Sequence, residues 1–416
     1  MLKLPDTQQS LWRESYRQPL YPVLSETVHA DVAIVGGGIT GLTAAYLLLK
    51  QGRRVAVIEK ATLGGGTSGR TTGKVSSQHN LIYADLLKRH GAVIAQSYAT
   101  INQAAIEKVA NIIATEKIEC NWSIQDNFIF TTQSSKAEEL RAEAMSASNL
   151  GLPATYVHNV SLPFNTEGAV KFTDQASMNT QSYLLGLARA IQNNGGYIYE
   201  NSEVTTVKHR DHVEVGTKQG SVVAKDIIIA TNVPTLPLAA RGTYCLLEYP
   251  QESYIVAARI PQAMAQVIHG MYISPDKNHY SILPFMQDGQ PYVLVGGEGH
   301  LSGLRGSSKA RYKRLAAYAE KHFAATEITH CWSDRDYLSY DRLPLIGKLY
   351  PSSKHIYVAS AFSKWGLSGG TAAATILTDI ITGKGSPYED IFTPHRLSAI
   401  KAIPRATVRY ITGKSH

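Results

Sequence analysis

The sequence predicts an α/β chain in which a parallel-sheet unit is joined to a second α+β domain built on an antiparallel sheet. Three features predict it. Asp31 to Glu59 reads as one strand, glycine turn, helix and strand unit; Asp226 to Ala230 and His355 to Ala359 are continuous apolar runs; residues 240–335 carry alternating apolar segments. Continuous runs suit parallel strands covered on both faces, whereas alternation suits antiparallel strands with one face buried.

The first unit is the most specific. Asp31-Val-Ala-Ile-Val35 supplies a buried strand, and glycines follow it. Gly36 permits the tight turn, Gly38 lets the backbone approach a pyrophosphate, and Gly41 lets the helix pack closely on the strand. Ile39 and Thr40, at the helix start, are expected to present free N–H groups to the anion. Leu42, Ala45, Tyr46 and Leu49 fall on one helical face. After Gly52 the run Arg53 to Ile58 is a second buried strand, and it ends on Glu59, placed to accept hydrogen bonds from a ribose 2′-OH. Glu59 lies 18 residues past Gly41, near the usual offset of roughly 20. A glycine turn alone is weak evidence; with strand, helix and acid in agreement it reads as a Rossmann-like dinucleotide site. The acid selects an adenosine with a free 2′-OH, so FAD or NAD rather than NADP.

A chain of 416 residues exceeds the ~250 to 300 at which a single core stops growing, so two domains are expected. Hydrophobic content of 44% and charged content of 18% are those of a globular protein. No apolar run reaches the length of a membrane-spanning helix and the first 30 residues are too polar for a secretory leader, so the expected location is cytoplasmic. Cys120, Cys245 and Cys331 stand far apart without a CxxC or CxH pattern. A zinc ribbon, a thioredoxin-like dithiol and a cysteine-ligated cluster are thereby excluded, and no metal site is expected. The net charge is +8, and from residue 394 onward Arg396, Lys401, Arg405, Arg409 and Lys414, with no acid among them, supply five of it. That describes a basic tail rather than a basic face, and nucleic-acid binding is not expected.

Along the chain, Leu11, Trp12, Tyr16, Leu20 and Tyr21 are expected to pack an extended N-terminal segment. Leu63 to His79 is a long loop of glycines and hydroxyls; Thr67, Ser68, Arg70, Thr71 and Thr72, with Lys60 before it, are candidate cofactor contacts. Residues 82–90, 92–115 and 135–149 read as helices, with a mixed stretch near Phe128 to Thr131. Leu184, Leu187, Ala188 and Ile191 form a helical stripe stopped at Gly195-Gly196, and Tyr197 to Tyr199 begins a strand. A meander follows at 203–207, 213–215 and 221–223, then the apolar run ending at Ala230, with Thr231 and Asn232 after it. Tyr254 to Ala257, Tyr280 to Leu283 and Tyr292 to Val295 are the alternating segments. Gly296-Gly-Glu-Gly-His300 is not a second nucleotide turn, because Ser302 stands where the third glycine belongs. Phe362 to Gly370 is a glycine loop, and Thr371 to Thr382 a helix closed by Gly383.

These pieces, in this order, resemble the D-amino-acid oxidase-like (DAO) superfamily of FAD-dependent oxidoreductases, from the N-terminal segment to about Arg396. Asp31 to Glu59 resembles the family's FAD fingerprint, Ala230-Thr231 its short Ala-Thr-Gly-like segment, Asp341-Arg-Leu-Pro-Leu-Ile-Gly347 its D-x-x-P-x-I-G signature, and Phe362 to Gly370 the loop against the flavin pyrimidine. A narrower likeness, in WRESY, TSGRTTGKVSSQH, GGEGH and FSKWG, is to a bacterial branch that joins this flavoprotein to a C-terminal Rieske domain. No Rieske ligands are present in this sequence. The resemblance implies a glutathione-reductase-type FAD-binding domain from residues 30–80, 165–240 and 336–396, a substrate or cap domain from 81–164 and 241–335, an N-terminal docking segment at 1–29 and a basic tail at 397–416.

It also implies that FAD is held by Val204 at the adenine, by Asn232, Gly347, Lys364, Trp365, Gly366, Leu367 and Ser368, and by the residues already named. Arg70 stands where some relatives carry a flavin-linking histidine, so the FAD is expected to be noncovalent. The implied chemistry is oxidation of a C–N bond of an amine or imino/amino acid by hydride transfer to flavin N5. Lys364, His79 and His300 are the implied catalytic candidates, for charge, O2 activation or proton transfer, and backbone N–H groups from Gly366 to Gly370 would stabilise negative charge on reduced flavin. Amino-acid oxidases of the family often clamp the substrate carboxylate with a strand arginine, and Tyr280-Ser-Ile-Leu-Pro284 has none. Expected partners are a small-molecule substrate and O2 or a separate ferredoxin-like carrier. The alternatives are an electron-transfer subunit working with an iron–sulfur partner, and a nonenzymatic FAD-binding or RNA-associated protein.

Overall fold

A computed structural model describes residues 2–14, 16, 20–209, 211–233, 238–303 and 306–402. Its centre is a six-stranded sheet in the order Leu345–Lys348, Ile356–Ser360, Asp226–Ile229, Val32–Val35, Val55–Ile58, Tyr197–Tyr199. All neighbours are parallel except the first pair. The continuous apolar runs are explained by cover on both sides. Val32, Ile34, Val55 and Val57 pack on helices Ile39–Lys50, Thr180–Asn193 and Gly366–Ile381. Ala33, Ala56, Ile58, Ile227 and Ile229 pack on Val213, Val215 and Val222 of a smaller sheet, ordered Thr27–His29, Ser221–Ala224, Val213–Gly216, Thr206–His209.

Helix Gly366–Ile381 begins five residues before the start read from the sequence. Its glycines let it approach the first helix: a Cβ at Gly370 would stand 2.6 Å from Thr40 Oγ1 and 3.0 Å from Ile39 Cγ2. A glycine run that reads as loop is here the contact between two helices.

The other large element is a nine-stranded mixed sheet. Its order is Glu327–Ser339, Glu248–Arg259, Gln290–Leu301, Ser281–Gln287, Met271–Ile273, Ser123–Thr131, Gly168–Ser177, Lys74–Val75, with Ala154–Val157 also pairing with Gly168–Ser177. Met271–Ile273 and Ser123–Thr131 run parallel, whereas the remaining pairs are antiparallel. One face lies under helix Ser308–Phe323 through Tyr254, Val256, Ile282, Val293, Tyr312 and Leu315. The other carries Ile255, Leu283, Leu294 and Trp332, packed against Leu11 and Trp12. Sequence reading saw only strands in 240–335 and missed that helix, whose charged residues dilute its stripe. It also left Gly168–Ser177 with the nucleotide unit, because the buried Gln175 and Ser177 hide the strand's alternation.

The N-terminal segment is pinned by a buried acid that the sequence did not announce. Glu200, fully buried at the end of its strand, accepts from Tyr16 Oη at 2.7 Å and from the N–H groups of Leu20 at 2.7 Å, Tyr21 at 3.1 Å and Leu63 at 2.6 Å. Leu11, Trp12, Tyr16 and Tyr21 are buried as expected, but Leu20 is 65% exposed and contributes its backbone instead. Because four donors would be left unsatisfied, Glu200→Ala is expected to cost roughly 3 to 5 kcal/mol, read as a lower urea midpoint. Arg396, counted with the basic tail, is instead buried against Asp341; Arg405, Arg409 and Lys414 lie outside the described residues.

Candidate active site

The carboxyl ends of the parallel strands open into a cavity of about 660 Å³, whose far wall is the strand Glu327–Ser339 of the large sheet. Gly36 turns at φ +115°, and a Cβ there would meet Ala230 O at 2.5 Å. A Cβ at Gly41 would stand 2.0 Å from Gly36 O, so Gly41 shapes the turn without lining the cavity. Gly41→Val is therefore expected to yield protein without bound dinucleotide, checked by absorbance after purification. Ile39 N–H donates to Ser68 Oγ at 3.0 Å, and the N–H groups of Thr40 and Gly41 precede the first bond between this turn and the next, Leu42 N–H to Gly38 O. The first turn contains no acid, which leaves its positive end to an anion. Glu59 accepts from Gly37 N–H at 2.7 Å and Ala61 N–H at 2.9 Å, and its carboxylate lines the cavity with lone pairs to spare. A glycine cradle, an open helix terminus and a carboxylate at the next strand end form the donor and acceptor set a dinucleotide requires.

Of the residues singled out from sequence, Gly36, Gly38, Ile39, Thr40, Glu59, Lys60, Thr67, Ser68, Arg70, Val204, Ala230, Thr231, Asn232 and Gly366 line this one cavity. Three elements are tied beside it: Asn232 Nδ2 donates to Thr67 Oγ1 at 3.2 Å and to Arg335 O at 3.1 Å. Thr71, Thr72, Gly347, Lys364, Trp365, Leu367, Ser368, His79 and His300 are not among the lining residues. Several of these have structural duties. Trp12 Nε1 donates to Thr71 O and Trp332 Nε1 to Arg70 O, each at 2.7 Å, so two indoles fix the loop. Gly347, at φ +136°, sits within the edge strand Leu345–Lys348.

His79 is buried and stacked on Trp365 with ring centroids 4.8 Å apart. Its Nε2–H donates to Ser76 O at 2.8 Å, which leaves Nδ1 to accept from Tyr98 Oη at 2.6 Å. Ser368 Oγ donates to the same carbonyl at 2.7 Å. Burial presses the imidazole pKa down to about 3, so His79 is a neutral pin between loop and helix. His300 is engaged by Leu301 O at 2.7 Å and Tyr254 Oη at 3.1 Å, on the sheet face covered by helix Ser308–Phe323.

Lys364 is placed differently. Ala361, Ser363 and Lys364 all have positive φ, at 61°, 53° and 74°, a concentration of strain that marks a built loop. The loop is bridged to the large sheet by Leu338 opposite Phe362 and by Ser363 N–H to Tyr337 O at 3.1 Å. Extending that register sets Lys364 opposite Asp336. Asp334, Asp336 and Glu252 line the cavity and escaped sequence reading. Their signal is faint: Trp332, Asp334 and Asp336 share one face of a strand, where alternation would place apolar residues. Burial, with Asp334 adding to it, pushes the Asp336 carboxyl up to about 7 against the opposing pull of Lys364, and burial lowers the Lys364 ammonium. Behind this end Glu248 is buried, and Ser360 Oγ lies between its carboxyl and Asn232 O. Burial raises Glu248 to about 8, against the hydrogen bond that its carboxyl accepts from Ser360 Oγ.

A family model described as FAD dependent oxidoreductase (DAO) matches residues 31–380. Over 389 residues the chain is 31% identical to a Bacillus subtilis (strain 168) protein named putative Rieske 2Fe-2S iron-sulfur protein YhfW, covering 93% of this chain and 75% of that one. It is 24% identical over 384 residues to gamma-glutamylputrescine oxidoreductase of Escherichia coli (strain K12), covering 89% and 87%. Glycine oxidase from Geobacillus kaustophilus shares the fold, with a TM-score of 0.73 at 21% identity over 88% of this chain and 98% of that one. With the dinucleotide cradle in place and most of the chain matched, the protein belongs to the DAO family of FAD-dependent oxidoreductases.

Proposed function

We propose that the protein oxidises a C–N bond of an amine or of an imino or amino acid, the electrons passing to O2 or to a separate carrier. The observation that supports this most directly is the continuity of one cavity from the glycine cradle to the charged wall of the large sheet, a room for substrate beside the room for FAD. Relatives named gamma-glutamylputrescine oxidoreductase, glycine oxidase and sarcosine oxidase subunit beta carry amines or amino acids in their names. Glu59 would hold the ribose, Gly36 to Thr40 the pyrophosphate, Val204 the adenine side, and the start of helix Gly366–Ile381 would favour negative charge. When bound, FAD supplies the hydride acceptor. The chain's own part is to orient the C–H bond, exclude water beneath the large sheet, and hold a neutral amine beside the cofactor.

The test is an anaerobic screen of amines and amino acids against the purified holoprotein, following loss of visible flavin absorbance. Bleaching by an amine is expected; protein that carries no flavin and takes up none on reconstitution would sink the reading. The Rieske-named relative favours a second reading, an electron-transfer flavoprotein with an iron–sulfur partner. Among the described residues no group of side chains could hold a metal, and no helix is long and apolar enough to cross a membrane. Slow reoxidation of the reduced protein by O2 with fast reoxidation by a ferredoxin would favour the second reading.

A further inference from the structure

We propose that the Asp334 and Asp336 pair at the cavity wall, with Lys364 opposite Asp336 in register, is an ammonium site, where Asp336 receives the protonated amino group of a cationic substrate and takes one proton from it. This rests on the amine-oxidation reading above and adds the substrate class: amines recognised by their positive charge, without a carboxylate beside the reacting carbon.

Geometry carries the assignment. Trp332, Asp334 and Asp336 alternate onto one strand face, and Trp332 Nε1 is bonded to Arg70 O, so that face looks onto the loop that lines the cavity. The Phe362 to Lys364 register sets Lys364 opposite Asp336. Lys364 Nζ lies over the neighbouring strands of the sheet, where a Cβ at Gly299 of Gln290–Leu301 would stand 3.1 Å from it. Asp334 Oδ2 is sealed from solvent and has no hydrogen-bond partner among the described residues. Such an acceptor is costly to leave unmatched, and a substrate N–H would match it. A substrate carboxylate would instead face Asp336; Arg70 and Arg335 line the same cavity but act on Asp334, and Tyr280 to Pro284 offers no further arginine.

The proton step balances. An N–H bond of the ammonium breaks and an O–H bond forms on Asp336; the pair left on nitrogen makes the neighbouring C–H a hydride donor, with FAD as the oxidant. Asp336 exchanges protons near neutrality because burial and Asp334 raise it while Lys364 opposes them. The other charged groups about the site are Glu252 on the adjacent strand, Arg335 between the two aspartates and Arg70 on the glycine loop, both of which oppose the rise of Asp334, and His279, which burial and then Lys364 hold neutral.

The experiment titrates oxidised holoprotein with n-butylammonium and, separately, with butyrate, following perturbation of the flavin spectrum. The expected wild-type result is binding of n-butylammonium, tightening as pH rises through about 7, and no binding of butyrate. Asp336→Asn is expected to weaken n-butylammonium by about 30-fold, while Asp336→Glu keeps the preference for the cation. Wild type that binds butyrate as well as the ammonium, or neither, overturns the proposal, as does Asp336→Asn with unchanged ammonium affinity. Wild-type protein that takes up no FAD overturns the flavoenzyme reading itself, which is a separate result.

Discussion

Glu59→Arg is expected to emerge from purification folded and colourless, with the FAD dissociation constant raised at least about 100-fold. Two losses combine. The Glu59 carboxylate bonds Gly37 N–H and Ala61 N–H at 2.7 and 2.9 Å, so it positions the glycine turn as well as offering lone pairs to a ribose. Charge-assisted hydrogen bonds contribute about 1.5 to 3 kcal/mol each, and two orders of magnitude correspond to about 2.7 kcal/mol. Glu59→Asp, with the same charge on a shorter arm, is expected to fall between. Flavin fluorescence released after gel filtration measures the occupancy, and thermal melts of the two apoproteins separate the loss of the Gly37 and Ala61 bonds, which lowers the variant's midpoint, from the loss of cofactor contacts. A Glu59→Arg protein that stays yellow with wild-type affinity would remove the acid from the cofactor site.

The difference between what could and could not be read in the sequence has a physical pattern. Asp31 to Glu59 was legible because its period, glycine spacing and terminal acid are all local, and the structure places the turn, helix start and Glu59 along one cavity. Asp226–Ile229 and Ile356–Ser360 were legible because strands buried on both faces must be apolar throughout. What failed needed long-range partners. Glu200 has ordinary neighbours in sequence, yet its four donors lie in residues 16–63. His79 could be read as a proton carrier or as a structural histidine, and only the fold supplies the Tyr98, Ser76 and Trp365 that enclose it. Asp336 gained its character from a loop bridged onto its strand, 28 residues ahead at Lys364. Local spacing reveals a cradle for a ligand, whereas the environment that sets a side chain's chemistry is assembled by the fold.

The Asp341 motif shows the same distinction and yields a stability effect as large as that expected at Glu200. Its carboxylate meets the buried guanidinium of Arg396 in a two-pronged pair, Oδ2 with Nε and Oδ1 with Nη2, each at 2.7 Å, and also accepts from Ser398 Oγ at 2.7 Å. Arg396 meanwhile donates to Leu343 O, Pro344 O, Phe392 O and Thr393 O, so one ion pair fastens the segment between helices Glu389–Phe392 and Leu397–Lys401 to the turn before the edge strand. Burial alone would raise the Asp341 carboxyl; the hydrogen bonds and charge of Arg396, with Ser398, outweigh it and hold the group below its ordinary value. A depressed folded pKa gives stability that is present above the unfolded carboxylate pKa of roughly 3.9 and is lost as pH falls through the folded one. Asp341→Asn is therefore expected to cost about 3 to 5 kcal/mol at pH 7, because the guanidinium is left buried without its partner. The gap to wild type should narrow as the medium is acidified below pH 4, where wild type loses the same interaction by protonation. Urea unfolding at pH 7 and at pH 3 measures both quantities. Equal midpoints at pH 7, or a gap that widens in acid, would show that the buried pair does not fasten this part of the fold.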